Sequence, residues 1–472
     1  MLKAISFRPR LIDAVRNYNR ETFMKDLMAG IIVGIVALPL AIAFGIASGV
    51  SPEKGIITAI VAGFLISLLG GTKVQIGGPT GAFIVIIYGI VNNPDYGVQG
   101  LIVATILAGI MLIMLGIFRL GAVIKFIPYP IIIGFTAGIA LTIFTTQMGD
   151  VLGLTQQLPD ETGALIEAPL KTPGDFIGKW ICYGEHISSF NLWNCIMAVG
   201  SVLIIIFSPK AFARVPILNK IPGSLIAILA ITGIVLLVKA NFPEVRIDTI
   251  GDRFNIQSKL PDMVVPNITW DMIRNLAPVA FTIAILGAIE SLLSAAVADG
   301  VISDHHDSNT ELIAQGVANM VTPLFGGIPA TGAIARTMTN INNGGRTPIA
   351  GLIHAIVLLL ILLVLMPYAK YIPMACLAGV LIVVSYNMSG WRTFKALLKS
   401  PKSDVTVLLV TFFLTVIFDL TVAIEAGLII ACALFIKRVM ETTKISVIEN
   451  EIDLSSEADM KLAEEHLEIP AG

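Results

Sequence analysis

Two short phrases, one in each half of the chain, set the strongest limit on how it can fold: Gly77-Gly78-Pro79-Thr80-Gly81-Ala82-Phe83 and Gly326-Gly327-Ile328-Pro329-Ala330-Thr331-Gly332-Ala333-Ile334. Each opens an apolar segment too short to cross a bilayer. Pro79 to Asn92 would span about 21 Å as helix and Ala330 to Ile341 about 18 Å, against a hydrocarbon core of about 30 Å. The rest of each crossing must be extended chain, which lipid does not tolerate unless protein or a water-filled cavity satisfies its amides. Glycine and proline permit that conformation. The helix that starts after it presents unpaired N–H groups and a positive dipole end near the bilayer midplane. Two such N-termini facing each other make an anion site. Gly-Pro pairs also kink ordinary membrane spans, but matched wording at matched positions in both halves points to a transporter of two inverted repeats with its site between broken helices.

The rest of the chain agrees with a membrane setting. Hydrophobic residues make up 56% and charged residues 14% of the 472, and many apolar runs approach 20 residues, which excludes a soluble globule. Lys3 to Asp26 is polar and basic, without the apolar core of a cleavable signal peptide. The hydropathy predicts an all-α polytopic fold of fourteen segments, at 27–49, 52–70, 79–92, 98–117, 124–148, 190–207, 223–240, 276–297, 310–324, 331–341, 346–366, 370–389, 403–418 and 421–438. These divide the chain into an N-terminal segment 1–26, a first repeat 27–240, a loop 241–275, a second repeat 276–438 and a tail 439–472. Basic clusters, among them Arg8 to Lys25, Arg119 and Lys125, Lys210 to Lys220, Arg392 to Lys402, and Lys437 and Arg438, fall on one face. The positive-inside rule makes that face cytoplasmic, with both termini. Seven segments per half is odd, so the second repeat enters from the opposite face, and Gly149 to Ser189 and Ala240 to Arg274 face outward.

Two charges fall inside predicted spans. Glu290 lies mid-way along its segment and Arg336 lies one to two turns into the second short helix. Each costs about 2.5–3.5 kcal/mol at the centre of a membrane helix, so both are functional candidates. Arg336 adds a fixed positive charge to the field of the two helix ends. Glu290 cannot bind an anion, but it can take a proton or help hold a sodium ion; a structural salt bridge between the two is the plainer alternative. Importing a divalent anion against a negative-inside potential costs about 4.6 kcal/mol per 100 mV, which a co-transported cation offsets.

Other constellations take a structural reading. Asp304-His305-His306-Asp307 has ligand-type residues, but adjacent residues do not easily share one metal, and Ser308 and Asn309 suit a helix cap, so no metal site is expected. Asp419 and Glu425 flank the turn between the last two spans, and Asp419 reads as a cap. His354 reads as a packed or hydrogen-bonded histidine. Cys182 and Cys195 could pair if their side is oxidising, whereas Cys376 and Cys432 sit in the membrane. No nucleotide-binding, metalloprotease or nucleophile-elbow motif and no nucleic-acid patch is present, so an enzyme is not expected and no cofactor is called for beyond co-transported H+ or Na+.

Leu38-Pro39-Leu40-Ala41-Ile42-Ala43-Phe44, the two Gly-Pro phrases, Ile289-Glu290-Ser291-Leu292-Leu293, Asn309-Thr310-Glu311-Leu312-Ile313-Ala314-Gln315-Gly316, Gly344-Gly345-Arg346-Thr347 and Phe418-Asp419-Leu420-Thr421 together resemble the SulP family of anion transporters. The resemblance implies seven plus seven inverted spans in a core and a gate domain, elevator-like alternating access, and a homodimer. It places the substrate among Phe44, Thr80, Gly81, Ala82 and Phe83, and Thr331, Gly332, Ala333, Ile334, Ala335 and Arg336, with Glu290 at the position associated with cation coupling. Family members usually continue into a cytoplasmic STAS domain. The tail Ile445 to Gly472 reads as the lead into one, so the chain is expected to be a piece of a longer protein. Sulfate is the first expectation for the anion and bicarbonate the second. An anion exchanger or channel of the same fold, or a C4-dicarboxylate transporter, is the alternative. A nucleobase symporter would want acidic or amide groups in the site. The expected location is a bacterial inner membrane.

Overall fold

The computed structural model describes residues 7–16, 18–121, 129–159, 165–173, 175–212, 221–255 and 263–417, with isolated positions beyond. The described part is the all-α polytopic membrane fold that the hydropathy predicts. Its helices are α1 (Arg10–Arg16), α2 (Arg20–Ala47), α3 (Pro52–Leu69), α4 (Ile84–Val91), α5 (Gly97–Ile117), α6 (Tyr129–Leu152), α7 (Phe176–Glu185), α8 (Leu192–Ala211) and α9 (Gly223–Asn241) in the first half. In the second half they are α10 (Trp270–Ile302), α11 (Ser308–Val321), α12 (Ile334–Asn342), α13 (Ile349–Val364), α14 (Met374–Met388), α15 (Trp391–Leu397) and α16 (Lys402–Ile417). Single turns at Ile250–Arg253 and Met366–Ala369 complete the described helices. The expected last span, 421–438, lies outside the described residues, as do Asp419, Glu425 and Cys432.

Several helices start earlier than their apolar runs because polar caps begin them in the flanking chain. Asn19 accepts from Thr22 N ahead of α2, Thr269 accepts from Met272 N ahead of α10, and Asp307 accepts from Asn309 N and Thr310 N ahead of α11. The cap of α11 is thus Asp307, not the expected Ser308 or Asn309, since only the residue before the first turn can reach its free amides. An antiparallel hairpin also departs from an all-helical expectation: β2 (Thr155–Pro159) pairs with β3 (Leu165–Pro169) between α6 and α7.

Helices cross closely where a side chain is missing. A methyl on Gly109 of α5 would lie 2.6 Å from Gly316 O of α11, and one on Gly316 would lie 2.6 Å from Gly109 O, so backbone meets backbone at that crossing. Apolar lipid gives helices no hydrophobic reason to associate, and such small-residue contacts supply the packing instead.

The approaches to the two short helices are held by polar clamps. The chain leaving α3 is gripped by Glu311, whose side chain is fully buried and accepts from Gly71 N, Thr72 Oγ1 and Gln315 Nε2, each at 2.9 Å. Beyond α12, Arg346 Nη1 donates to Ile341 O at 2.9 Å and Gly345 O at 2.8 Å, and the buried carboxylate of Asp26 accepts from Arg346 N at 2.9 Å and from the Thr347 hydroxyl. Glu311→Gln turns one acceptor oxygen into a donor facing donors. It is expected to lower stability in detergent by about 1–3 kcal/mol, read as an earlier thermal unfolding midpoint.

Candidate functional site

The broken segments meet as a ribbon. Gly77–Gly78, here β1, pairs antiparallel with Thr331–Gly332, here β4, in the register Gly77 with Gly332 and Gly78 with Thr331, and Ala333 N extends it by donating to Ile76 O at 2.9 Å. Because the strands run oppositely, the helices that follow leave the ribbon in opposite directions with their N-termini turned back towards it. On one side a 3-10 turn at Gly81–Phe83 runs into α4, and on the other α12 begins at Ile334. No side chain caps either start, since Thr80 and Ala333 make no capping hydrogen bond. The first-turn amides are therefore open to a ligand, and the helix dipoles favour an anion there.

The neighbours of the ribbon fix its position. α3 packs against β1, and α10 packs against β4. Ser291 Oγ donates to Gly287 O at 2.6 Å, pairs with Thr331 Oγ1 at 2.5 Å and accepts from Gly332 N at 3.3 Å. On the other edge Thr337 Oγ1 accepts from Ile76 N at 3.1 Å, and Asn340 Nδ2 donates to Val74 O at 2.9 Å. Val74 O, Ile76 N, Ile76 O and Gly332 N thus all find partners in protein, as burial at membrane depth requires.

Glu290 and Arg336 attach to consecutive residues of the first broken segment. Thr80 Oγ1 donates to Glu290 Oε2 at 2.9 Å, and Arg336 Nη2 donates to Pro79 O at 3.1 Å. No ion pair joins the two charges among the described residues, so the salt-bridge alternative is not what the structure shows. Glu290 is half-buried, whereas Arg336 is 2% exposed. Arg336 also stands in the first turn of α12, as its third residue, earlier than expected, because α12 starts only after the ribbon ends. That position turns its side chain back onto β1.

The other predicted residues fall into three groups. Phe44 and Gly81 come together: a methyl on Gly81 would lie 3.3 Å from Met388 Sδ, 3.4 Å from Ile143 Cδ1 and 3.7 Å from Phe44 Cε1. Thr331 and Gly332 are buried in the ribbon, while Ala333 is half-buried and Ile334 and Ala335 are exposed at the start of α12. Ala82 and Phe83 are not part of that open face. Both are buried, and the Phe83 ring lies 3.6 Å from where a methyl on Gly287 would stand. Sequence reasoning did not single out Ser291, Ile143 or Met388. Ser291 directly follows Glu290, and a hydroxyl beside an intramembrane carboxylate was the available signal; Ile143 and Met388 gave none.

The remaining candidates have structural partners. Lys73 Nζ meets Asp304 at 2.8 Å, His306 Nδ1 meets Asp299 at 2.6 Å, and Asp307 caps α11. Burial works against the Asp304 charge, but the hydrogen bond and charge of Lys73 and the backbone of His305 hold its carboxyl below the ordinary range. No group of metal-ligand residues occurs among the described residues. Cys182, Cys195 and Cys376 are free thiols.

The sequence model of the sulfate permease family matches residues 23–411. The chain is 43% identical over 456 residues to the "Putative sulfate transporter YvdB" of Bacillus subtilis, covering 96% of this chain and 81% of that one. It is 31% identical over 438 residues to the "Bicarbonate transporter BicA" of Picosynechococcus sp., covering 91% and 73% respectively. Among solved structures, the transmembrane domain of a cyanobacterial bicarbonate transporter BicA superposes with a TM-score of 0.73 at 29% identity, over 88% of this chain and 98% of that one.

Proposed function

The chain belongs to the sulfate permease family, and from that premise we propose that it is a secondary active transporter of a small inorganic anion, sulfate before bicarbonate, driven by H+ or Na+. The observation that carries the reading is the ribbon: one pair of two-residue strands turns two uncapped helix starts towards each other and holds an arginine and a carboxylate through adjacent residues. The anion would take the first-turn amides after Thr80 and Ala333, with Phe44 and the exposed Ile334 and Ala335 beside it. The buried Arg336 would supply field through the ribbon rather than a direct contact. Backbone donors and small side chains select charge and size more than chemistry, which fits relatives named for sulfate and for bicarbonate.

Glu290 is the coupling group in this reading. Its carboxylate and the Thr80 hydroxyl bonded to it offer oxygen ligands for a sodium ion, or the carboxylate alone takes a proton. Alternating access would follow from an elevator-like movement of the element carrying the ribbon, within inverted repeats and a homodimer. The protein would sit in the plasma membrane, a bacterial inner membrane, with both termini cytoplasmic. The test is uptake of labelled sulfate and labelled bicarbonate into proteoliposomes under a sodium gradient, a proton gradient and neither. Accumulation above the external concentration with one gradient is expected. Uptake indifferent to both gradients would replace symport by exchange or channel conduction, and uptake of neither anion would sink the reading.

A further inference from the structure

Against the ribbon, two buried side chains carry nitrogens with no partner. Arg336 is 2% exposed and its Nη1 makes no hydrogen bond, although Nη2 is held by Pro79 O. His354 of α13 is fully buried and neither ring nitrogen is bonded. The guanidinium lies against the first strand of the ribbon, where a methyl on Gly78 would stand 1.9 Å from Arg336 Nη1. Its ring edge faces Gly63 of α3, where a methyl would stand 3.4 Å from His354 Nδ1 and 3.2 Å from Gly77 O, the first carbonyl of the ribbon. The expectation of a merely packed or hydrogen-bonded histidine leaves these atoms unexplained. A buried charged donor and a bare acceptor nitrogen against the same strand are costly unless something joins them.

We propose that Arg336 and His354 share a bound water molecule against the ribbon, with Arg336 Nη1 donating to the water and the water donating to the acceptor nitrogen of His354. A neutral imidazole offers one acceptor and one N–H, and a water needs two or more polar partners to settle in a protein interior. Glycine at position 63 leaves that ring edge uncovered. With Nη2 on Pro79 O and Nη1 on the water, the guanidinium is held at both arms, and its charge stays fixed against the ribbon. His354 is then a positioning residue: it acts on the anion only through Arg336.

The transport arm of the test rests on the anion-transport reading; the stability arm does not. His354→Leu removes the acceptor at similar size, and His354→Gln restores one. His354→Leu is expected to raise the half-saturating sulfate or bicarbonate concentration about tenfold, the scale of one hydrogen bond to a charged group, with maximal rate changed less than about twofold. His354→Gln should stay within about threefold of the parent. In detergent, His354→Leu should lower the thermal midpoint beside Arg336 and leave it unmoved in an Arg336→Met background. Equal behaviour of the Leu and Gln variants, a fall in maximal rate at unchanged half-saturation, or the same midpoint loss in both backgrounds overturns the proposal. If the parent protein carries neither anion, the functional reading fails and the midpoint cycle still decides the role of His354.

Discussion

Glu290→Gln is expected to leave the protein folded and to abolish gradient-driven anion accumulation. The amide has the shape of the carboxylate and keeps an oxygen to accept from Thr80, whose hydroxyl lies 2.9 Å from Glu290 Oε2. No basic side chain pairs with Glu290 among the described residues, so the substitution orphans no buried cation. What it removes is the capacity to take a proton or to neutralise a sodium ion. Without a coupled cation, a divalent anion at 100 mV, negative inside, is held out by about 4.6 kcal/mol, roughly a thousandfold or more in concentration. The expected result in proteoliposomes is that the accumulation ratio of labelled anion falls to its uncoupled limit, while exchange of internal for external anion persists. If the variant still accumulates anion under the gradient that drives the parent, Glu290 is not the coupling group. If exchange is lost as well, the carboxylate serves the geometry at Thr80 rather than the cation.

The two charges were legible from sequence because a charged residue inside an apolar segment has few reasons to be there, and the half-helices were legible because glycine and proline interrupted segments already too short. Their relation to each other was not. A two-residue strand has no periodicity to detect, so the pairing of Gly77–Gly78 with Thr331–Gly332 could only be seen in space. From that pairing follows the direction of Arg336, which points back at Pro79 O instead of out towards the open helix starts. Ser291 was within reach of sequence reasoning, one residue beyond Glu290, but its role depends on Gly287 and Thr331 arriving on either side of it. The β2–β3 hairpin escaped notice because its ten residues sit in a polar loop where hydropathy carries no signal. Helices bounded by proline or glycine came out best, starting at Pro52, Gly97 and Gly223 within a residue of expectation, whereas Asn19 and Thr269 cap their helices from outside the apolar runs and lengthen them to 28 and 33 residues.

Gly78→Ala is expected to cost the most stability of the substitutions considered, and to stop transport with it. A methyl at this position would stand 1.9 Å from Arg336 Nη1 and 3.5 Å from Ala59 Cα. The backbone behind it belongs to the ribbon and cannot retreat without breaking the pairing with Thr331. The guanidinium must therefore move, although it is buried and bonded to Pro79 O. Overpacking costs about 1–3 kcal/mol, and a lost hydrogen bond from a charged group about 1.5–3, so a total of about 3–6 kcal/mol is expected if the protein folds at all. Gly89→Ala is the matched control. It lies in the helix that follows the same broken segment, a methyl there would meet nothing within 4 Å, and stability should change by less than about 1 kcal/mol. Thermal unfolding in detergent and anion uptake on the same preparations separate the outcomes. Loss in Gly78→Ala alone places the constraint at Gly78 itself, where the approach of Arg336 and a backbone φ of 156° both call for glycine. Equal loss in both variants would mean that any added methyl near the first half-helix is harmful, and that the contact with Arg336 is not what requires glycine at position 78.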